Sequence, residues 1–398
     1  MKFSILDRLN SYGSAFSGLY TPLCLGKART LSFFLKMTLK LPHSRHIAKL
    51  HYQPIIVSRS VKLINYAKDN SIQTIRGWWW SQQKWNGART LLIPFYIAWQ
   101  IALTLWYVKL IINTKASILH IQSKDDFIAA SIAGRILQKV VVWTDHMDLR
   151  YIFQNITKPL RNPIGKMVFY AGKLTDHIII ISNNEYALIT SQFKKNSNLL
   201  GRLVIVNNGV IDHKIEKAKQ SEQPFIFCLA SRIVKNKGIG ESIDAFLRLK
   251  QKVNTPIELH IYGDGADMAL FKNRAKPNKA IKFFGHQENV IEQVAKSDVY
   301  MLPSYQEGFS IALLEATMLG KAIITSDIDS NSEIIQNNQN GLLVRAQDVD
   351  ELEHAMYRLL SNPELILKLE KNARNSYKHN FNLERIAQTK ILPLYESR

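Results

Sequence analysis

The sequence predicts an α/β protein made of two doubly wound domains, each with a mostly parallel sheet. Three observations lead to this fold class. Short β-rich apolar runs alternate with helical patterns along most of the 398 residues. Several of those runs are apolar at successive positions, which is typical of parallel strands covered by helices on both faces. A polar stretch divides the runs into two sets, each long enough for one domain.

Candidate strands come in chain order before and after that polar stretch. The first set covers residues 3–6, 54–57, 72–75, 118–121, 140–143, 177–181 and 203–206. The second set covers residues 225–229, 258–262, 281–284, 299–302 and 322–325. Helical patterns between successive strands indicate βαβ units.

The polar stretch HKIEKAKQSEQP at residues 213–224 is the predicted linker. We therefore expect an N-terminal Rossmann-like domain at 1–212 and a C-terminal Rossmann-like domain at 225–398. A last helix is predicted at about 383–394, after polar residues at 375–382. Periodicity leaves open whether this helix packs on the second domain or crosses back to the first.

Composition narrows the class of protein. A content of 46% hydrophobic and 21% charged residues is that of a folded globular chain, so disorder is not expected. Only two cysteines occur, Cys24 and Cys228, far apart and without metal-ligand spacing, which argues against a disulfide framework or a zinc site. Asp7 and Arg8 interrupt the apolar core that a signal peptide would need, so we expect a cytoplasmic protein.

The net charge of +20 lies almost entirely in one half of the chain. Residues 1–215 hold 28 Lys and Arg against 9 Asp and Glu, whereas residues 216–398 hold 24 against 23. Such an asymmetry attracts anionic partners, which are phospholipid headgroups or nucleic acid. A basic surface kept for solubility is the alternative.

One long apolar segment does not fit the alternating pattern. Residues 91–112 are long enough to span a bilayer, but they contain Pro94, Gln100 and Lys109 and lie between strands of one predicted sheet. We expect a helix that covers the sheet, with one face at a membrane interface as one alternative and simple core packing as the other. The tryptophans of RGWWW and Trp85, just before it, have the composition of a membrane-interface belt. Tryptophans packed under a loop are the alternative, since aromatic residues are common in protein cores.

Two carboxylates, Glu307 and Glu315, stand out in PSYQEGFSIALLEATMLGKAIITS. The segment reads as a strand at 298–304, a helix at 311–319 ended by Gly320, and a strand at 322–325. Glu307 then lies in the strand-to-helix turn, at the sheet edge where doubly wound folds bind ligands. Amides at the helix N-terminus would hold a diphosphate, and Glu315, more than one turn into the helix, would hold a group beside it.

This Glu-x7-Glu element, EGFSIALLEA, resembles the signature of retaining glycosyltransferases of family 4, which have the GT-B fold of two Rossmann-like domains facing a cleft. Other segments match in the expected order: VVVWTDHMD, SNNEYALI, VIVNNGV, ASRIVKNKG, IYGDG and KFFGHQENV. The resemblance covers residues 117–363 well and the first hundred residues poorly. The family commonly has a Gly-Gly pair after its first strand, whereas Gly13 and Gly18 are separated here.

The resemblance implies that the N-terminal domain binds the acceptor and that the C-terminal domain binds the nucleotide sugar. It also implies roles for individual residues. Arg232 and Lys237 would bind the diphosphate and stabilise the leaving group, since cleavage of a sugar–phosphate bond develops negative charge there. Glu307 and His146 would contact the donor sugar. The remaining donor-binding residues would be Gly308, Phe309, Ser310, Leu313, Glu315 at the ribose, Gly263, and His286 and Glu288 at the base.

The resulting hypothesis is a metal-independent enzyme without a cofactor. It would transfer a sugar from a nucleotide sugar, UDP- or GDP-linked, to a hydroxyl of a glycan or lipid-linked glycan with retention of configuration, at the inner face of the cytoplasmic membrane. Cell-surface polysaccharide or glycolipid synthesis would be its setting. A nucleotide-sugar epimerase or a phosphorylase of the same fold is the enzymatic alternative, and a non-catalytic membrane- or nucleic-acid-binding protein is the other. No zinc-finger spacing, RNA-recognition signature or basic repeat favours nucleic acid.

Overall fold

The computed structural model describes residues 31–38, 51–69, 72–78, 93–146, 149–153, 163–193, 198–213, 224–275 and 278–396. They form two compact units. The first contains the described residues up to Asn207 together with residues 387–396, and the second contains residues from Asn208 to Ile386. Residues 214–223 of the predicted linker lie outside the described residues, so the linker stays a prediction.

The first unit is built on a seven-stranded sheet in the order β3-β2-β1-β4-β5-β6-β7. Its strands are β1 (Leu31–Thr38), β2 (His51–Ser58), β3 (Gln73–Arg76), β4 (Ile118–Ile121), β5 (Val140–Asp145), β6 (His177–Ile180) and β7 (Leu203–Ile205). Six of the seven correspond to predicted strands, and the predicted strand at 3–6 lies outside the described residues.

Strand β1 departs from the predicted parallel pattern, because it pairs antiparallel with both β2 and β4. The other neighbouring pairs of this sheet are parallel. Antiparallel neighbours can follow each other in the chain without a crossover helix, which parallel neighbours need. The sheet is therefore mixed, and the apolar run LSFFLKMT was the signal for the strand that the prediction missed.

Helices cover the sheet of the first unit. They are α1 (Val61–Asp69), α2 (Ile93–Thr114), α3 (Phe127–Ile136), α4 (Leu149–Ile152), α5 (Pro163–Gly172) and α6 (Asn183–Ser191). Among the described residues, α2 is the helix whose length and apolar composition would suffice to cross a membrane. In the core, the Trp143 indole stacks on Phe127 with ring centroids 4.2 Å apart and donates to Ser131 Oγ.

The second unit has a six-stranded, fully parallel sheet in the order β10-β9-β8-β11-β12-β13. Its strands are β8 (Phe225–Ala230), β9 (Ile257–Tyr262), β10 (Ile281–Gly285), β11 (Val299–Leu302), β12 (Ala322–Ser326) and β13 (Leu342–Val344). Numbered within the unit, this order is 3-2-1-4-5-6, the order of a dinucleotide-binding Rossmann sheet. The predicted two-domain α/β, Rossmann-like fold is confirmed.

The helices of the second unit follow its strands in turn. They are α7 (Ile239–Lys252), α8 (Met268–Ala275), α9 (Val290–Lys296), α10 (Ile311–Met318), α11 (Asp329–Ser332), α12 (Val349–Leu360) and α13 (Pro363–Ser376). Gly320 follows α10 with a φ of 61°, as expected for the residue that ends a helix.

The C-terminal segment differs from the single helix predicted at 383–394. It consists of α14 (Leu383–Ile386), a π-helical turn (Ala387–Ile391) and α15 (Leu392–Tyr395). Pro393 has no N–H to donate to a carbonyl one turn earlier, so a regular α-helix cannot run through it unbroken.

Candidate functional site

The strand order of the second unit reverses between β8 and β11, and the loops that follow these two strands carry the predicted catalytic residues. In open α/β sheets, ligands bind beyond the carboxyl ends of the strands at this switch point. Arg232 and Lys237 follow β8, while Glu307 to Ser310 follow β11. The fold therefore brings together two motifs that are 70 residues apart in the chain.

The loop after β8 packs tightly on the loop after β11. Gly238 has a φ of 69°, and a Cβ atom built there would lie 2.1 Å from the Pro303 carbonyl oxygen. The Tyr305 amide donates to the Asn236 carbonyl at 2.9 Å. Only glycine fits at position 238, so the Lys-Gly pair of the motif has a steric reason as well as a chemical one.

Lys237 and Glu307 form an ion pair across the two loops. Lys237 Nζ lies 2.5 Å from Glu307 Oε1, and both side chains are about nine-tenths buried, at 12% and 11% exposure. Arg232, by contrast, is exposed at the start of the same loop. A diphosphate that binds here would contact the exposed guanidinium of Arg232 and the ammonium of Lys237. Because the Glu307 carboxylate already fixes that ammonium, binding costs little further side-chain entropy at Lys237.

The N-terminus of α10 supplies backbone groups to this edge. Ser310 caps the helix, with its Oγ accepting from the Leu313 amide at 3.4 Å. The Phe309 and Leu313 side chains are buried, at 5% and 0% exposure. Their side chains therefore pack in the core, and their part in donor binding stays a prediction.

Glu315 projects from the second turn of α10 and is only partly exposed. Burial raises the pKa of its carboxyl to about 8. The phenol of Tyr300, on β11, is buried close to both glutamates and donates to the Ala230 carbonyl at 3.2 Å. Burial raises the pKa of Tyr300, and the charges of Cys228, Glu315 and Glu307 raise it further. A protonated Glu315 can donate or accept a hydrogen bond, and it ionises readily when hydroxyl groups solvate it.

The loops after β9 and β10 complete the edge. Gly263 has a φ of 128°, and a Cβ there would lie 1.9 Å from the Ser231 carbonyl oxygen. Its amide donates to the Gly285 carbonyl at 2.8 Å. The close packing of these loops therefore explains why position 263 is a glycine. His286 and Glu288, which follow β10, are both exposed.

In the first unit, His146 directly follows β5 and is half-buried. The neighbouring His120 is buried, with Nδ1 2.6 Å from Tyr395 Oη and Nε2 2.6 Å from Thr144 Oγ1. Burial, together with the charge of His146, lowers the pKa of His120 to about 3. His120 is therefore neutral at neutral pH, and it ties α15 to the end of β5. His146 stays a predicted donor contact.

Sequence reasoning missed two tyrosines that support the Glu307 loop of the second unit and one histidine that links elements of the first unit. Tyr300 and Tyr305 belong to the strand and loop that carry Glu307, and Tyr305 Oη donates to Glu241 Oε1 at 2.6 Å. His120 lies 275 residues from its partner Tyr395. An aromatic residue on a buried strand predicts only core packing, so no local signal identified these contacts. No group of three or more His, Cys, Asp or Glu that could hold a metal ion occurs within the described ranges.

Residues 210–376 match the family model described as glycosyl transferases group 1. A curated relative from Campylobacter jejuni, N,N'-diacetylbacillosaminyl-diphospho-undecaprenol alpha-1,3-N-acetylgalactosaminyltransferase, is 30% identical over 44% of this chain and 45% of its own. One from Escherichia coli, UDP-Gal:alpha-D-GlcNAc-diphosphoundecaprenol alpha-1,3-galactosyltransferase, is 25% identical over 72% of this chain and 77% of its own. The chain spans about half the length of the first curated relatives that it matches.

Among solved structures, the chain is similar to the Anabaena protein HepE in complex with UDP and glucose. The TM-score is 0.61 at 16% identity, over 84% of this chain and 89% of that one. At this identity the similarity concerns the fold. The matched residues 210–376 include both loops of the switch point, from Arg232 to Ser310. Residues 210–376, which form most of the second unit, are therefore similar to the group 1 glycosyltransferases.

Proposed function

We propose that the protein is a retaining glycosyltransferase of family 4, which transfers a sugar from a nucleotide sugar to a hydroxyl of a lipid-linked glycan. The observation that carries this proposal is the Lys237–Glu307 ion pair, which sits at the switch point of a group 1 glycosyltransferase domain beside the exposed Arg232.

The proposed reaction uses these groups in named roles. The bond between the anomeric carbon and the phosphate oxygen breaks, and its electron pair goes to the nucleoside diphosphate. Arg232, Lys237 and the amides at residues 308–310 stabilise that charge, and the ion pair with Glu307 orients Lys237 before the reaction begins. The acceptor oxygen bonds to the same face of the anomeric carbon, and its proton goes to the departing phosphate. Glu307 holds sugar hydroxyls and Glu315 holds the ribose.

The choice of substrates has separate support. HepE was solved with UDP and glucose, and the Escherichia coli relative is named for a UDP-galactose donor and a diphosphoundecaprenol acceptor. A UDP-sugar and an acceptor linked to a polyprenyl diphosphate are therefore the first substrates to test. Metal independence, a cytoplasmic location and peripheral contact with an anionic membrane belong to the same proposal, and the basic first half of the chain favours the last of these.

A thermal-shift screen against UDP, GDP, ADP and CDP tests the nucleotide. A ligand that binds the native state raises the free energy of unfolding by about 2.7 kcal/mol at a hundred times its Kd. We expect the largest shift with UDP, and no shift with any nucleotide would contradict the proposal. Incubation of a UDP-sugar without acceptor distinguishes an epimerase, which would change the sugar, from a transferase, which would leave it largely intact.

A further inference from the structure

Helix α2 has one buried face and one exposed apolar face. The buried face includes Tyr96, Leu103 and Tyr107, which pack in the core of the first unit. The other face exposes a ridge of large apolar side chains, which we call the α2 ridge: Phe95 (59% exposed), Ile97 (42%), Ile101 (57%), Leu105 (65%) and Ile112 (58%). Single exposed apolar residues are normal on a protein surface, whereas a continuous row of them marks an interaction site.

The α2 ridge is continuous because its residues recur at helical spacing. Ile97, Ile101 and Leu105 are four residues apart, and Ile112 follows two turns after Leu105. From Phe95 to Ile112 the ridge is about 26 Å long at a rise of about 1.5 Å per residue. Ala98 and Ala102, also exposed, widen it with small side chains. The result is a long, shallow apolar surface.

The same helix cannot span a bilayer in this fold. Its inner face is in the protein core, and strands β3 and β4, before and after it, belong to one sheet. A helix that crosses a membrane would place those strands on opposite sides. A membrane can therefore meet α2 only along its outer face, with the helix axis in the plane of the surface.

The sequence on either side of helix α2 carries charge of a single sign. Between Asp69 and Asp125 it contains six Lys and Arg and not one Asp or Glu. Among the described residues, Lys109 is exposed one turn beyond Leu105, and Arg76 is exposed at the end of β3. The exposed Trp78 lies against Trp99 of the helix, with ring centroids 5.5 Å apart. The apolar ridge, the exposed indole and these two basic side chains together complement the headgroup region of an anionic bilayer.

We propose that the α2 ridge docks in the plane of an anionic phospholipid bilayer. The inference rests on the proposed function only in that a lipid-linked acceptor gives the chain a reason to bind a membrane. It adds the surface of contact: the apolar side chains enter the acyl boundary, while Lys109 extends its ammonium group toward the phosphates.

Vesicle co-sedimentation of the full-length protein tests this inference. Wild-type protein should bind vesicles of phosphatidylcholine and phosphatidylglycerol more tightly than vesicles of phosphatidylcholine alone, and high salt should weaken the binding. The double variant Ile101→Ser/Leu105→Ser should lose at least about tenfold in partitioning, because two large side chains no longer enter the interface. Lys109→Gln, which removes one positive charge, should lose about fivefold on the anionic vesicles.

The matched control is Leu270→Ser/Leu367→Ser, which removes two exposed leucines of the second unit, at 46% and 66% exposure. It should bind vesicles as the wild type does. Thermal unfolding checks that each variant is folded. If Ile101→Ser/Leu105→Ser binds like the wild type, or if it changes the oligomeric state while vesicle binding stays the same, the inference is overturned.

The same samples separate this inference from the proposed function. UDP-induced thermal shifts should be equal in the wild type and in the ridge variant. Ridge-dependent vesicle binding without any nucleotide shift would contradict the proposed function and support the docking surface. A UDP-induced shift without vesicle binding would contradict the docking surface and support the proposed function.

Discussion

Strands β8 and β1 are each the third strand from one edge of their sheets, but they differ in direction. In the second unit, β8 is parallel to its neighbours, and the loop at its carboxyl end delivers Arg232 and Lys237 to the switch point. In the first unit, β1 has the central place between β2 and β4 but runs antiparallel to both. Its Ser32 pairs with Ile121, so the start of β1, and not its end, lies at the carboxyl edge of the sheet.

This difference has a functional meaning. A strand-to-helix loop with its dipole and free amides can form at the end of β8, whereas an antiparallel β1 cannot supply one at the corresponding edge of its own sheet. We infer that the second unit carries the phosphate-binding groups. The first 215 residues of the sequence, which include most of the first unit, differ in their charge instead, with 28 basic against 9 acidic residues.

The largest expected effect follows from removal of Glu307. Glu307→Ala should lower turnover by at least about 100-fold, as loss of a preorganised group in a transition-state site typically does. Glu364→Gln removes an exposed carboxylate of α13 and should leave turnover unchanged. Rates with a UDP-sugar and a polyprenyl-linked acceptor, with thermal unfolding as the check of folding, provide the measurement. Full activity in a folded Glu307→Ala protein would refute the role of the second-unit loop.

Loop packing in the second unit predicts a strong stability effect. Gly238→Ala should lower the free energy of unfolding by about 2–4 kcal/mol, because its Cβ collides with the Pro303 carbonyl and its φ is positive. Gly285 has the same φ of 69° but no atom within 4 Å of an added Cβ. Gly285→Ala should therefore cost only about 1–2 kcal/mol, from backbone strain alone. Urea unfolding gives both values, and equal costs would contradict the packing of the two loops.

The stability of the two units should depend on pH in opposite directions. Burial raises the pKa of Glu315 from 4.5 to about 8, so the stability that its protonated form contributes is present below pH 4.5 and is lost as pH rises toward 8. Burial lowers the pKa of His120 from 6.5 to about 3, so the stability that its neutral form contributes is present above pH 6.5 and is lost as pH falls toward 3. When thermal unfolding is followed against pH, Glu315→Gln should lose less stability at high pH than the wild type, and His120→Asn should lose less at low pH.

Nucleotide binding should also report on Glu315. Hydroxyl groups of the ribose favour the carboxylate, so UDP binding at neutral pH should release close to one proton per site. Calorimetry in buffers with different ionisation enthalpies measures that number. Glu315→Gln should abolish the release, and an unchanged release in the variant would place its source elsewhere.

The smallest effect concerns the end of the chain. Tyr395→Phe removes the partner of His120 Nδ1 and should cost about 1–2 kcal/mol, because a buried polar atom is left unsatisfied. Tyr170 is 63% exposed, so Tyr170→Phe is the matched control and should be neutral. An equal stability in both variants would show that the Tyr395 contact contributes little.

The sequence predicted the second unit better than the first for a physical reason. Parallel strands buried on both faces, such as Val299–Leu302, are continuous apolar runs, and glycines at positive φ, such as Gly238 and Gly320, mark the turns between elements. The predicted site residues of this unit meet at one sheet edge because the carboxyl ends of parallel strands always do. Local pattern and global fold agree there.

What the sequence did not reveal depends on contacts between distant residues. The direction of β1 is set by its pairing with β2 and β4, and the residues of LSFFLKMT fit either direction equally well. The neutral state of His120 depends on Tyr395 and on burial by elements far along the chain. Whether an apolar helix such as α2 is buried all round or on one face is decided by what packs on it.

A crystal structure of the protein with UDP bound tests the central claim most directly. We expect the diphosphate within hydrogen-bonding distance of Lys237 Nζ and of the amides at residues 308–310, with the ribose hydroxyls bound to the Glu315 carboxylate. A nucleotide bound elsewhere, with the Lys237–Glu307 pair untouched, would contradict it.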